Sequence, residues 1–218
     1  MDLKDKNNDK FIDGISVSGK IGKHTYVDLG LKSGIKWATS NVGADVPTNN
    51  GDYFAWGEIR AKKAYSWKTY KWCMKNHKKL TKYCTSHLYG TVDKKLILEE
   101  DDDAATANWG KEWRMPTIAE LKELTKGCNW EFTENFNGSN VAGMIGRSKK
   151  NNNVIFFPAS GYRSLSNTLK FGIYSYVWSS TLEKKYSDGA YSLGIEEYDI
   201  DLNGDYRAFG QSVRAVVR

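Results

Sequence analysis

Trp113-Arg114-Met115-Pro116-Thr117-Ile118-Ala119-Glu120-Leu121 sets an aromatic ring, an arginine and a proline directly before a helix start. Thr117 suits the N-cap position, and Glu120 three residues later completes a capping box. Hydroxyl and carboxylate then each accept a main-chain N–H that the first turn leaves unpaired. Ile118, Leu121 and Leu124 recur at helical spacing, so one face is apolar. Lys122 and Lys126 fall toward the end, where positive charge suits the helix dipole, and Gly127 is a natural stop. The stretch predicts a short amphipathic helix over residues 117–126. Arg114 has no catalytic partner near it in sequence. Its expected role is structural, bonding nearby carbonyls or a carboxylate.

The 218 residues suffice for one large domain or two small ones, and 40% hydrophobic content supports a core. With 8 Trp and 13 Tyr, aromatic rings are left over for a surface, and 20 Gly against 3 Pro implies many turns and little rigid linker. No run approaches the length of a membrane span. No signal peptide follows Met1, so the chain is expected to be intracellular or to have had an export segment removed.

The formal charge of +6 hides an asymmetry. From Ile59 to Val92 nine lysines and arginines occur without one acid, so the rest of the chain is net acidic. Tyr65, Trp67, Tyr70, Trp72 and Tyr83 interleave with these cations, a composition compatible with nucleic acid or an acidic glycan. Lysine dominates over arginine, however, and no nucleic-acid-binding motif accompanies it. The expectation is a solvated basic flap inserted at about residues 59–98, with no nucleic-acid partner.

Three cysteines, an odd number, do not make a disulfide framework. Cys73 and Cys84 could close a short loop in an exported protein. Cys73-x3-His77 and Cys84-x2-His87 offer four zinc ligands, at spacings that match no standard finger. Asp5-x-Asn7-x-Asp9-x3-Asp13 has the oxygen spacing of a calcium loop, but Lys10 stands where glycine is needed and Ser16 replaces the closing glutamate. Residues 1–20 therefore read as a polar tail or linker, no metal or cofactor is expected, and residues 21–218 read as a single domain.

Residues 24–31 and 36–43 read as strands, and 51–58 is an aromatic run bounded by glycines. The acidic run Glu99-Glu100-Asp101-Asp102-Asp103 is placed to cap a short helix starting at Ala104. After the central helix the chain turns β-rich, with strands expected at 154–159, 175–181, 190–202 and 212–217. Asn203-Gly204 reads as the hairpin turn between the last two.

These pieces resemble a known family. The matching elements are Val27-Asp28-Leu29-Gly30-Leu31, Lys36-Trp37-Ala38-Thr39-Ser40-Asn41-Val42-Gly43, Gly51-Asp52-Tyr53-Phe54-Ala55-Trp56-Gly57-Glu58 and Leu80-Thr81-Lys82-Tyr83-Cys84. They continue with Trp113-Arg114-Met115-Pro116-Thr117, Pro158-Ala159-Ser160-Gly161-Tyr162-Arg163, Trp178-Ser179-Ser180-Thr181 and Gly210-Gln211-Ser212-Val213-Arg214. In this order, from about Tyr26 to Arg218, the chain resembles the Fibrobacter succinogenes major paralogous domain of Bacteroidetes. The resemblance implies an α+β, C-type-lectin-like fold with two short helices, a small twisted antiparallel sheet and long loops. It implies an extracellular or cell-surface location, and makes Cys73 and Cys84 a plausible disulfide, with free thiols the alternative.

The same fold serves retroelement-diversified variable proteins, whose variable residues lie between a Trp-Ser-Ser element and a Ser-Val-Arg element. By that resemblance the ligand-binding residues here would be Tyr198, Asp199, Asp205, Tyr206, Arg207 and Phe209, with Tyr174 and Tyr176 just before them. Tyrosine and aspartate among small residues make an adaptable binding surface.

The related formylglycine-generating enzymes hold copper with paired C-terminal cysteines. This chain has no cysteine after Cys128, so catalysis of that kind is not expected. Classical calcium-lectin tripeptides (Glu-Pro-Asn, Gln-Pro-Asp, Trp-Asn-Asp) are missing too. Asp201-x-Asn203-x-Asp205 could supply calcium oxygens, but the hairpin reading accounts for the same residues. The expected function is non-enzymatic binding of a surface protein or glycan. The alternative is a structural or adhesion subunit that makes its contacts through the basic flap.

Overall fold

The computed structural model describes residues 10–12 and 14–217; the calcium-loop-like positions Asp5, Asn7, Asp9 and Asp13 lie outside the described residues. The chain opens with β1 (Lys10–Ile12), β2 (Ile15–Val17), β3 (Gly19–Ile21), β4 (His24–Val27) and β5 (Lys36–Ala38). A long run of turns and isolated bridges leads to α1 (Ala104–Trp109) and α2 (Ile118–Gly127). Then come β6 (Cys128–Thr133), β7 (Gly143–Ser148), β8 (Val154–Pro158), β9 (Tyr162–Ser164) and β10 (Asn167–Leu169). The last strands are β11 (Ser175–Leu182), β12 (Gly189–Ile195), β13 (Ile200–Tyr206) and β14 (Val216–Val217). Two helices and small antiparallel sheets make this an α+β protein.

The opening stretch behaves as its chemistry dictates. Thr117 Oγ1 accepts the Glu120 N–H, and Glu120 accepts the Thr117 N–H, closing the capping box of α2. Leu121 and Leu124 are buried against Val27, Trp37, Val177 and Leu193, each side chain contributing about 1.5–3 kcal/mol by burial. Arg114 forks onto the Glu120 carboxylate at 2.8 and 2.6 Å, the structural role expected of it, while its main chain pairs with Val216 of β14. Asp103 caps α1 through the Ala105 and Thr106 N–H groups and also accepts the Met115 N–H at 2.8 Å. One residue of the acidic run thus starts one helix and anchors the approach to the next.

β14 pairs with β5 in the sheet β14-β5-β4-β3, so the C-terminus closes onto the N-terminal strands. β11 runs between two cores: Trp178 packs with Trp56, Trp113 and Tyr83, whereas Val177 packs with the α2 leucines. Two tryptophans interlock there. Trp56 Nε1 donates to the Ser179 carbonyl and Trp178 Nε1 to the Phe54 carbonyl, both at 2.8 Å. Burial on both faces explains why β11 shows no apolar–polar alternation.

Five sequence expectations are corrected. Residues 10–20 are not a tail: β1 and β2 form a hairpin, Ile15 packs against Phe136 and Phe156, and Ser16 Oγ accepts the Val154 N–H. Residues 59–98 are not a solvated flap. Tyr65, Tyr70, Leu80, Tyr83 and Leu98 are buried, and Lys71 and Lys82 reach back to the buried Asp102. Cys73 and Cys84 are free thiols, turned to the carbonyls of Trp67 and Ser86. Asn203-Gly204 is not the hairpin turn: both lie inside β13, and β12 turns into β13 through residues 196–199. The strand expected over 212–217 is regular only at β14.

Candidate functional site

β11, β12 and β13 form one antiparallel sheet whose inner face packs on α2. Strand alternation turns Tyr176, Ser192, Gly194, Asp201, Asn203 and Asp205 to the other face, where with Tyr174 they line a shallow hollow of about 120 Å³. Asp205 is fixed there by Ser192 Oγ at 3.0 Å and Gln211 Nε2 at 2.7 Å.

Aromatic rings continue from this hollow in one ribbon. Tyr174 stacks on Tyr176, Tyr176 meets Tyr162, Tyr162 meets Phe209, Phe209 meets Tyr206, and Tyr206 meets Trp67, each pair 5.2–6.0 Å apart. Tyr206 is 52% exposed, and Tyr162, Tyr174, Tyr176 and Phe209 are partly exposed. The ribbon borders a larger cleft of about 530 Å³, walled by Tyr89, Tyr186, Tyr206 and Phe209 and carrying the carboxylates of Glu183, Asp188 and Asp205.

Negative charge gathers on this face. Among the described residues, no ion pair involves Glu183, Asp188, Glu196, Asp199, Asp201 or Asp205. Burial, then Asp188 and Asp205, raises the pKa of Glu183; burial likewise raises that of Asp188. Burial and neighbouring Asp199 raise Asp201, and burial and Asp205 raise the Tyr176 phenol. The Tyr174 phenol is raised by its hydrogen bond to Glu196.

Of the residues expected from sequence, Tyr174, Tyr176, Asp205, Tyr206 and Phe209 come together on this face. Tyr198 sits apart at the hairpin turn, 86% exposed, whereas Asp199 is bonded to Asp201 at the edge of the hollow. Arg207 does not belong to the surface. It is fully buried, donating to the Tyr70 hydroxyl and to the carbonyls of Tyr83, Ser187 and Lys82 at 2.8–3.0 Å, with Trp56 against its guanidinium. It pins residues 70–83 to the domain. Tyr162, Trp67, Tyr89, Glu183 and Asp188 were not singled out as site residues. Tyr162 and Trp67 are reached only through tertiary contacts, though the carboxylates flanking Tyr186 were a readable signal.

Metal-like patterns do not converge. Asp201 is hydrogen-bonded to Asn203, and Asp205 is held by Ser192 and Gln211, so these side chains are engaged with their neighbours on the sheet. Among the described residues no three His, Cys, Asp or Glu side chains gather as metal ligands, the Cys73–His77–Cys84–His87 set included. Among the described residues no helix is long and apolar enough to cross a membrane.

No protein-family model, curated protein or solved structure matches this chain.

Proposed function

We propose that this chain is a non-enzymatic ligand-binding module with a C-type-lectin-like architecture, displayed outside the cell or at its surface, and related to the Fibrobacter succinogenes major paralogous domain. Its binding face carries Tyr174, Tyr176, Asp205, Tyr206 and Phe209, and captures a protein or glycan. Two helices, small antiparallel sheets and long irregular connections support the architecture. The observation that carries the function is the ribbon of partly exposed rings beside unpaired acids. Rigid rings supply contact area at low entropic cost, and neighbouring polar groups supply selectivity. Of the face, Asp205, Tyr206 and Phe209 fall between the Trp178 and Arg214 elements, the interval that the resemblance to retroelement-diversified proteins would make variable.

The second reading is an adhesion subunit working through the basic segment. Lys63, Lys68, Lys75, Lys78 and Lys79 are exposed, as are Met74 at 68% and Leu88 at 79%. Deleting the segment would remove part of the core, so point substitutions are the test. Tyr206→Ala with Phe209→Ala is compared with glutamine at Lys68, Lys75, Lys78 and Lys79 on a glycan and surface-protein array. The binding-face reading expects loss of the retained ligand in the first variant only. Loss in the lysine variant only favours adhesion through the segment.

A further inference from the structure

Resting on the binding-face reading, we infer that the Glu183–Asp188–Asp205 cleft takes an organic cation, the lysine or arginine side chain of a partner protein. Aromatic walls and carboxylates are the two groups that hold such a cation, through the ring quadrupole and through charge-assisted hydrogen bonds. Here both converge: Tyr89, Tyr186 and Tyr206 stand around three acids.

Asp188 points independently to a cationic ligand. It lines the cleft, is only 8% exposed, and takes a hydrogen bond from its own main-chain N–H alone among the described residues. Buried carboxylates are ordinarily paired. The Glu183 carboxylate takes no hydrogen bond or ion pair among the described residues. Its Oε2 lies directly over the β12–β13 backbone, where a Cβ on Gly204 would fall 1.9 Å away and one on Gly189 2.5 Å away. Lys185, which lies over the Tyr186 ring, acts on Glu183, and His77, Arg207 and Lys78 act on Asp188, but among the described residues none forms an ion pair with either acid.

A neutral sugar could stack on the rings but would leave these charges uncompensated, which favours the cation. The volume of about 530 Å³ exceeds one side chain, and the ribbon leads away from the cleft through Phe209 and Tyr162 toward Tyr176. A peptide fits this shape: its basic side chain enters the cleft and its apolar neighbours lie along the rings. A free polyamine has the same cationic chemistry but nothing to place on the ribbon.

The test uses the full chain and four probes at low salt: an acetylated, amidated Ala-Phe-Lys-Phe-Ala peptide, its norleucine counterpart, spermidine and cellotetraose. Calorimetry and backbone amide spectra give affinity and location. The lysine peptide is expected to bind about tenfold or more tighter than the norleucine peptide and than spermidine. E183Q combined with D188N should bring it to the norleucine level while the spectrum stays that of a folded protein. Y186A, at a residue 44% exposed, provides a second variant with little risk to folding and should weaken the lysine peptide severalfold. Equal binding of the lysine and norleucine peptides, or saturation by cellotetraose alone, overturns the cation and leaves the binding face standing. Spermidine binding as tightly as the peptide overturns the protein source. A lysine peptide indifferent to Y206A and F209A overturns both the inference and the binding-face reading beneath it.

Discussion

Residues 59–98 and the face formed by β11–β13 are both rich in aromatic rings, yet the fold treats them in opposite ways. In the first, Tyr65, Tyr70 and Tyr83 are at most 3% exposed and these three phenols are satisfied: Tyr65 donates to the Tyr53 carbonyl, Tyr70 to the Trp56 carbonyl, Tyr83 to Asp102. Its charges are also partly answered, with Lys62 on Glu58, and Lys71 and Lys82 on Asp102. In the second, the rings are partly exposed and the carboxylates have no ion-pair partners among the described residues. Aromatic content alone therefore does not mark a binding surface. On the proposed reading, acids without ion-pair partners beside accessible rings do, because a ligand that pairs with them recovers the cost of leaving them unpaired.

Breaking the satisfied region should cost stability, and the largest loss should come from the residue that joins it to the domain. Arg207→Ala leaves three carbonyls and a phenol without their donor and opens a cavity, so urea unfolding should show a loss of at least about 3 kcal/mol. A loss under about 1 kcal/mol would mean that residues 70–83 hold without this clasp. Asp102→Asn comes next: it removes the charge that Lys82 and Tyr83 meet at 2.5 and 2.7 Å, for a loss of about 2 kcal/mol by the same measurement. The open region should respond the other way. Tyr206→Ala should change stability by less than about 1 kcal/mol yet weaken ligand binding more than tenfold, about 1.4 kcal/mol, in calorimetry.

The smallest effect carries the most informative sign. The pKa of Glu183 is raised by burial and by Asp188, so its ionisation opposes folding. That penalty is fully present above the folded-state pKa and vanishes once pH falls below the ordinary value of 4.5, where both states are protonated. Glu183→Gln should therefore melt higher than the parent protein near pH 7, and the gap should close by about pH 4 in paired thermal scans. A lower melting point near neutrality would show that the acid supports the fold rather than the ligand.

Much of the scaffold was legible wherever the signal is local. The capping box at Thr117 and Glu120 announced α2, the apolar run 154–159 announced β8, and Asp103 sits where a cap was expected. What failed depended on tertiary contact. Asn203-Gly204 has hairpin chemistry, but Gly204 is extended and opposes Tyr191, and its missing Cβ leaves room for Glu183. The turn falls instead on Glu196-Glu197-Tyr198-Asp199, which contains no glycine. Arg207 follows the end of β13 directly, and only the approach of Tyr70 and Tyr83 from far along the chain decides that it is buried. The aromatic ribbon is likewise assembled from residues 67, 162, 174, 176, 206 and 209, a set no local pattern connects.

Hydrogen–deuterium exchange on the protein, with and without the ligand retained on the array, tests the contrast between the two regions most directly. Binding at the open face predicts slowed exchange across residues 186–189 and 200–209, with residues 68–79 unchanged. Protection confined to 68–79 would contradict it and place the working surface in the basic segment.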